Sequence, residues 1–252
     1  LVVGQFLVWR SVRREAELTS MRSDFVDLVG HELRTPLSVL TAKAEMLAHG
    51  DVPIGKQGEY QQAVYRAALR LGEQVNQVLD FSRLEKREQP VQLNTVATRD
   101  LIASALRKTR DALAWAGQRV HVNASRDLPS VYVDTELVVQ ALSNLLHNAI
   151  RHAPGARVEI QVVVESAATK LIVLDDGPGL GSIDPNELFV AFRRGEQRAA
   201  PGTGLGLAIV ARSMQALGGS VRAWDRAAAS ATNSVTGAAF EMTLPNAQET
   251  LR

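Results

Sequence analysis

Two long amphipathic segments in the first third of the chain restrict its fold more than any other feature. They run from about residue 11 to 48 and from about residue 58 to 85, and the turn-forming string His-Gly-Asp-Val-Pro separates them at residues 49–53. The pattern predicts two helices joined as a hairpin over residues 11–86. Apolar residues in the second segment are spaced by four and three, which is typical of a heptad repeat: Val64, Ala68, Leu71, Val75 and Val78.

A hairpin of this kind buries few side chains by itself, because each helix offers a single apolar stripe. Two hairpins that pair in a four-helix bundle bury both stripes. We therefore predict that the chain forms a homodimer through this bundle. The charged and polar residues 87–92 that follow are predicted to be a linker.

The remaining residues, 93–247, have the pattern of a mixed α/β domain, and residues 248–252 form a short tail. Short alternating runs predict strands, and longer apolar periodicity predicts helices. Asp134 or Thr135 is expected to cap a helix that ends near His152. The strands are predicted at residues 119–123, 131–133, 157–165, 170–174, 219–224 and 239–244, and a second helix at residues 204–217.

Composition excludes several classes of function. The net charge is +1, so the chain lacks the basic excess that drives non-specific nucleic-acid binding, and we predict no nucleic-acid partner. It contains no cysteine, which excludes disulfides, thiolate zinc sites and cysteine nucleophiles. Its residues are 46% hydrophobic, which is enough for a packed core.

The beginning of the chain differs in character from the rest. Nine mostly apolar residues precede Arg10, and Arg13 and Arg14 follow it. Nine residues are too few to cross a bilayer, which takes ~20, but an apolar end followed by arginines is typical of the cytoplasmic side of a membrane helix. We therefore expect residues 1–10 to be the end of a truncated transmembrane helix. An ordinary buried helix end is the alternative.

His31 lies in the first predicted helix, directly before Glu32. A carboxylate that binds the N–H of a neutral imidazole would fix its tautomer and make the other nitrogen a better nucleophile. Pro36 has no N–H to donate to the carbonyl of Glu32, so the helix is expected to bend beside His31. Taken alone, a His-Glu pair is usually a solvated surface pair. It is not a zinc-protease signature, because Thr35 stands where a second histidine would be needed.

The whole string from His31 to Pro36, His-Glu-Leu-Arg-Thr-Pro, resembles the phosphoacceptor box of bacterial sensor histidine kinases. The resemblance implies that His31 is phosphorylated and that Glu32 is the general base. It also implies that Thr35 can orient water for dephosphorylation of the partner protein. The same family forms its dimer through a helical hairpin.

Three motifs in the second half of the chain suit a nucleotide. In the first, Asn144, Asn148, Arg151 and His152 share one face of a predicted helix. Amides and cations on one face suit a polyphosphate, and an amide oxygen is an acceptable ligand for Mg²⁺. A plain polar helix face is the alternative.

The second motif is Asp-Asp-Gly-Pro-Gly at residues 175–179, directly after a predicted strand. The carboxylate of Asp175 could accept a hydrogen bond from the amino group of adenine. Gly177 and Gly179 would let the backbone come close to the base. A calcium loop would need further alternating carboxylates, which the following residues lack.

The third motif is a glycine-rich run at the start of a predicted helix, where backbone N–H groups can face phosphate. It is not a Rossmann fingerprint, because its glycines are spaced differently. It is not a P-loop, because it lacks a Gly-Lys-Ser/Thr string. Its members are Gly202, Thr203, Gly204, Leu205, Gly206 and Leu207.

In this order the three motifs resemble the N, G1 and G2 boxes of the GHKL ATP-binding fold, also called the Bergerat fold, which is a two-layer α/β sandwich. Residues 188–194, which include Arg194, are similar to its F box, and the segment between Gly179 and Gly202 corresponds to its mobile lid. The resemblance implies that Asn144 binds Mg²⁺ and Asp175 reads adenine. It further places these residues against the nucleotide: Asn148, Arg151, His152, Gly177, Gly179, Arg194, Gly202, Thr203, Gly204, Leu205, Gly206 and Leu207.

Together the two resemblances imply the core of a sensor histidine kinase at the cytoplasmic face of the bacterial inner membrane. ATP with Mg²⁺ would phosphorylate His31, and the phosphoryl group would pass to an aspartate of a response regulator. Two alternatives stay open from the residues alone. One is a GHKL ATPase of the mismatch-repair or chaperone type, and the other is a dimeric scaffold that binds nucleotide without catalysis.

Overall fold

The computed structural model describes residues 29–86, 90–191, 203–226 and 236–247. The predicted end of a membrane helix at residues 1–10 and the tail at 248–252 therefore lie outside the described residues. The chain divides into two compact units, residues 1–79 with 201–203, and residues 80–200 with 204–252. None of the helices in the described ranges has the length and hydropathy that a membrane crossing requires.

The first unit contains the predicted helical hairpin. Helix α1 is described over residues 29–49 and continues through Pro36. It ends where Gly50 adopts a φ of 76° and the N–H of Asp51 donates to the carbonyl of Met46 at 3.0 Å, a common way to terminate a helix. Helix α2 spans Gln57–Lys86. Across the turn, the Nζ of Lys43 lies 3.6 Å from the centroid of the Tyr60 ring.

The buried face of α2 is not the predicted heptad stripe. Ala67, Gln74 and Gln77 are only 5–7% exposed, whereas Val75 of the stripe is 40% exposed. A single hairpin can cover only one side of α2, so the other side keeps apolar surface in contact with solvent. The large apolar side chains that are exposed on α1 and α2 are Leu37, Val39, Tyr65, Leu69, Val75 and Leu79.

The second unit is built on a five-stranded sheet in the order β2-β4-β5-β7-β6. β2 runs parallel to β4, and the other neighbours are antiparallel. A separate antiparallel pair joins β1 to β3. The strands are β1 (Asn94–Ala97), β2 (Val120–Asn123), β3 (Ser130–Val133), β4 (Val158–Val164), β5 (Ala168–Asp175), β6 (Ser220–Asp225) and β7 (Ala238–Pro245).

Three helices cover one face of this sheet, so the unit is the predicted two-layer α/β sandwich. They are α3 (Thr98–Trp115), α4 (Thr135–His152) and α5 (Gly206–Ala216), and a short 3-10 helix lies at Glu187–Phe189. The core between the layers is apolar and closed to solvent. Leu101, Leu145, Ile160, Met214 and Met242 within it are fully buried.

Helix α4 begins at the cap that the sequence predicts. The Oδ1 of Asp134 accepts hydrogen bonds from the N–H of Glu136 at 3.0 Å and of Leu137 at 3.4 Å. Its Oδ2 accepts another from the N–H of Gln92 at 2.9 Å. The carboxylate of Asp134 therefore caps α4 and also holds the segment that leads into β1.

Candidate active site

The polar residues of α4 lie along one face, as their spacing predicts. Leu142, Leu145 and Leu146 on the opposite face are fully buried in the core, which directs Asn144 and Asn148 away from it. Asn144 is 8% exposed and Asn148 is half-buried. Neither side-chain amide forms a hydrogen bond with another residue in the described ranges. Two amides held in place by a buried face are thus available to a ligand.

The same face ends in two basic residues, Arg151 and His152. Surrounding protein atoms desolvate the imidazole of His152 and lower its pKa, and the Arg151 cation lowers it further. Arg151 therefore supplies the positive charge at this end of α4. Both residues also lie in the last turn, where basic side chains interact favourably with the helix dipole.

Asp175 ends β5 as a buried carboxylate with a fixed orientation. It is 5% exposed, and its Oδ1 accepts hydrogen bonds from the N–H of Gly177 at 2.9 Å and of Ala238 at 3.3 Å. Within the described residues no hydrogen bond engages Oδ2. Burial raises the pKa of Asp175, while the two amides and the Arg226 cation oppose the rise. The result is one carboxylate oxygen presented to a hydrogen-bond donor from outside.

Three strands meet at this edge of the sheet, so Asp175 is surrounded by backbone. The N–H of Leu180 donates to the Oδ1 of Asp225 at 2.6 Å, which ties the Gly177–Gly179 turn to the end of β6. Gly179 has a φ of 84° and Gly237 a φ of 140°, values that favour glycine. A Cβ at Gly237 would overlap the carbonyl oxygen of Asp175. The sequence analysis assigned no role to Asp225, Arg226 or Gly237, although each stands at a strand end.

The end of α4 and the end of β5 are adjacent. A Cβ at Gly177 would overlap the Cβ of Ala153, which directly follows α4. Gly177 is therefore needed for this close approach. The fold thus brings two of the three predicted motifs, the α4 face and the Asp175 turn, to the same end of the unit.

The third motif opens α5, which packs against α4. α5 begins at Gly206 rather than at the predicted Gly204, because Gly204 has a φ of 68°, outside the helical region. Leu205 is fully buried and Leu207 is half-buried. Leu205 therefore anchors the start of α5 in the core, while Gly204 and Gly206 on either side of it are partly exposed.

Thr203 has a different environment from the one its motif implies. Its side chain is fully buried, and its Oγ1 donates a hydrogen bond to the Oε1 of Gln77 at 2.7 Å. Thr203 belongs to the first compact unit, whereas Gly204 belongs to the second. Arg194 and Gly202, which the sequence analysis also assigns to the nucleotide, lie outside the described residues.

His31 lies on α1 with its side chain exposed, while the side chain of Glu32 is buried at 8% exposure. One turn further on, the Oγ1 of Thr35 donates a long hydrogen bond to the carbonyl oxygen of His31 at 3.4 Å. The imidazole is thus accessible from solvent. A reaction partner could reach it without any unfolding of α1.

The described residues fit a nucleotide better than a protein-only metal centre. They contain no group of three or more His, Asp or Glu side chains that could hold a metal ion. An Mg²⁺ ion bound through one amide oxygen, phosphates and water needs no such group. The unpaired amide of Asn144 suits that donor set.

Comparison with protein families matches both units. Residues 133–248 match the histidine kinase-, DNA gyrase B- and HSP90-like ATPase family, and residues 21–87 match the His Kinase A phosphoacceptor domain. This chain therefore belongs to the sensor histidine kinases of bacterial two-component systems. The predicted fold class, a helical hairpin followed by a GHKL α/β sandwich, is confirmed.

Curated relatives extend well beyond this chain. The sensor-like histidine kinase SenX3 of Mycobacterium tuberculosis is 32% identical over 234 residues, which is 91% of this chain and 55% of SenX3. The sensor protein KdpD of Escherichia coli is 31% identical over 92% of this chain and 25% of its own length. The chain thus spans about half of the one and a quarter of the other.

Solved structures show the same fold. The Acinetobacter baumannii histidine kinase AdeS has a TM-score of 0.62 at 23% identity and covers 86% of this chain and 98% of its own. Histidine kinase ThkA in complex with the response regulator protein TrrA has a TM-score of 0.66 at 17% identity, over 94% of this chain and 65% of its own.

Proposed function

We propose that this chain transfers the γ-phosphate of ATP to its own His31. The observation that carries the proposal is the pairing of two features in one chain. A buried carboxylate presents one oxygen at the edge of a GHKL sheet, and an exposed histidine lies in a phosphoacceptor-type helix. Hydrolysis of ATP alone would not require the exposed histidine in a phosphoacceptor-type helix.

In this proposal the carboxylate of Asp175 recognises adenine. Because Oδ1 is occupied by two backbone amides, Oδ2 is the oxygen that accepts the amino group of the base. Guanine carries a carbonyl at that position and would meet the carboxylate as a second acceptor. Gly177 and Gly179 keep side chains away from the base.

The phosphates lie along the polar face of α4 and the start of α5. Asn148 and Arg151 donate to phosphate oxygens, and His152 lies beside the nucleotide. Arg194, Gly202, Gly204, Gly206 and Leu207 complete this part of the site, and Thr203 and Leu205, which are fully buried, support its glycine-rich run. Asn144 and the phosphates would hold Mg²⁺, which would supply positive charge beside the transferring group.

At His31 the neutral imidazole attacks the γ-phosphorus through one ring nitrogen, and ADP leaves as the bond between that phosphorus and the β–γ bridging oxygen breaks. Glu32 accepts the proton of the other nitrogen, which raises the nucleophilicity of the first. Exposure of the ring lets the phosphoryl donor reach it. The protein contributes mainly position and electrostatics, as in other phosphoryl transfers.

Phosphorylated His31 then donates the group to an aspartate of a response regulator. ThkA, which shares this fold, has been solved with such a regulator. Thr35 lies one turn from His31 with an exposed side chain, so its hydroxyl can orient water for dephosphorylation of the response regulator. Phosphatase activity is therefore a second proposed function.

Homodimerisation places a second hairpin against the exposed apolar side chains of α1 and α2. Packing in a four-helix bundle would remove that surface from water. Size-exclusion chromatography with light scattering tests this, and a monomer at micromolar concentration would contradict it.

We also propose that the whole protein lies at the cytoplasmic face of the bacterial inner membrane. A transmembrane helix, of which residues 1–10 are the end, would hold it there. Membrane fractionation of the complete protein tests that placement, and recovery in the soluble fraction would contradict it.

Autophosphorylation with γ-labelled ATP tests the central proposal. Wild type should incorporate acid-labile label, and His31→Gln should incorporate none while binding ATP with unchanged affinity. His49→Gln, at an exposed position near the end of the same helix, is the matched control and should label normally. Undiminished labelling of His31→Gln would overturn the assignment, and phosphate release without phosphohistidine would favour the GHKL ATPase.

A further inference from the structure

Arg226 directly follows β6 and bonds to both strands that frame the adenine end of the site. Its Nη1 donates a hydrogen bond to the carbonyl oxygen of Asp175 at 3.1 Å. Its backbone N–H donates to the carbonyl oxygen of Gly237 at 2.9 Å. One half-buried residue therefore connects the end of β5 with the residue that precedes β7.

These two bonds act on the groups that orient Asp175. Gly237 precedes Ala238, whose N–H donates to the Oδ1 of Asp175. Gly237 has a φ of 140°, which only glycine adopts readily, and glycine is the residue with the most backbone freedom to lose. A bond that holds the Gly237 carbonyl therefore also holds the Ala238 amide in place. The guanidinium holds the peptide group of Asp175 itself.

Among the described residues, few other charged groups lie near this carboxylate. Asp176 is the next residue, and its Oδ1 accepts from the N–H of Arg157, which directly precedes β4. Asp225 at the end of β6 is engaged by the N–H of Leu180. β7 begins here with Ala238 and Ala239, and α4 ends nearby with Arg151 and His152. Arg226 is therefore the cation that most directly favours the ionised form of Asp175.

We propose that Arg226 is a positioning residue of the nucleotide site: its guanidinium holds the Asp175 peptide and its backbone N–H holds the Gly237 turn, so that Oδ2 is presented to adenine. The proposal rests on the proposed reading of adenine by Asp175. Arg226 itself does not touch the base. Its contribution passes through Asp175 and the Ala238 amide.

Calorimetric titration of the whole chain with MgADP between pH 6 and 8.5 tests this. Arg226→Met removes the guanidinium bond to Asp175 and keeps the backbone bond to Gly237, so binding should weaken about three- to tenfold at pH 7.5, the range expected for loss of one partly exposed hydrogen bond. Because removal of the cation raises the pKa of Asp175, the fall of affinity on acidification should begin at higher pH than in wild type. Arg226→Lys keeps the cation, so its pH profile should match wild type although its affinity is lower.

Arg222→Met is the matched control, because Arg222 lies on β6, the strand that Arg226 follows, and pairs with the buried carboxylate of Glu241 instead. It should bind MgADP within about twofold of wild type, because Glu241 pairs with Ile172 in the sheet rather than with Asp175. Equal affinities for Arg226→Met and Arg222→Met would overturn the proposal, as would weaker binding with an unshifted pH profile. If Arg226→Met does not fold, a wild-type affinity for Arg226→Lys would overturn it.

Asp175→Asn separates the two proposals. If it binds MgADP as tightly as wild type, the assignment of Asp175 to adenine fails, and the role of Arg226 fails with it. If Asp175→Asn weakens binding but Arg226→Met does not, only the positioning role is lost. In the Asp175→Asn background, Arg226→Met should cause no shift of the pH profile.

Discussion

His31 and Asp175 are presented to their partners in opposite ways. His31 lies on α1 with its side chain exposed, and the Oγ1 of Thr35, one turn further along the same helix, donates to its carbonyl oxygen. Asp175 is 5% exposed and is held by amides from its own turn and from β7. One reactive group is held by local structure, and the other by residues far apart in the chain.

The difference follows from what each residue has to do. In the proposed reaction His31 meets two partners in turn, a nucleotide and a receiver domain, so it has to be accessible from solvent. Asp175 meets one rigid base and gains specificity from a fixed acceptor oxygen. Tolerance of substitution should therefore differ sharply between the two regions.

Gly237→Ala and Gly30→Ala give the largest expected contrast. A Cβ at Gly237 meets the Asp175 carbonyl, whereas one at Gly30 meets nothing within 4 Å. Gly237→Ala should destabilise the second unit by about 2–4 kcal/mol through overlap and strain, and MgADP binding should be lost. Gly30→Ala should stabilise α1 by about 0.5–1 kcal/mol and keep autophosphorylation. Thermal unfolding and ADP titration measure both, and equal effects would remove the contrast.

Asp175→Asn tests the fixed acceptor. Its amide can keep the bonds at Oδ1 but presents N–H₂ to the adenine amino group, so MgADP should bind about 10- to 100-fold more weakly, as for one charged hydrogen bond. Burial raises the pKa of Asp175, so ionisation at neutral pH costs stability, and any stabilisation from this group is lost as pH rises through the raised pKa.

The nucleotide-free Asp175→Asn protein should therefore unfold at the same or a higher temperature than wild type at pH 7.5. Asp176→Asn is the control, because Asp176 is exposed and its bond to the Arg157 amide survives as an amide oxygen. Comparable loss of ADP affinity in both variants would contradict the role given to Asp175.

Thr35→Ala should have the smallest effect and act on one reaction only. Loss of one neutral hydrogen bond to water should slow dephosphorylation of the regulator about three- to tenfold. Labelling of His31 should continue at the wild-type rate, and Thr35→Ser should restore the phosphatase. A parallel decrease in both reactions would show that Thr35 supports α1 instead.

Local pattern predicted the elements that carry their own signal. The capping carboxylate of Asp134, the polar face of α4 and the carboxylate at the end of β5 all lie where the sequence places them. Each depends on residues within about two helical turns or one strand. Helix α3 and strand β1 were not predicted, although Leu101, Ala105 and Leu113 form a buried helical stripe.

Other features depend on residues that are distant in the sequence. The Gln77 partner of Thr203 is 126 residues away, and the Ala238 amide on Asp175 is 63 residues away. The periodicity of apolar and polar residues along the chain does not indicate such pairs. The buried face of α2 likewise differs from its heptad stripe, because one chain cannot show what a second hairpin would cover.

The sequence by itself determined the phosphoacceptor string at His31, the three nucleotide motifs and the two kinds of fold, since these depend on residue type and short-range spacing. Only the tertiary structure decided which oxygen of Asp175 is presented, and that Gly237, Ala238 and Arg226 hold it. The physical reason is that an acceptor is oriented by its hydrogen-bond donors. At this edge of the sheet those donors lie in the turn after β5 and at the start of β7, which meet only in the folded chain.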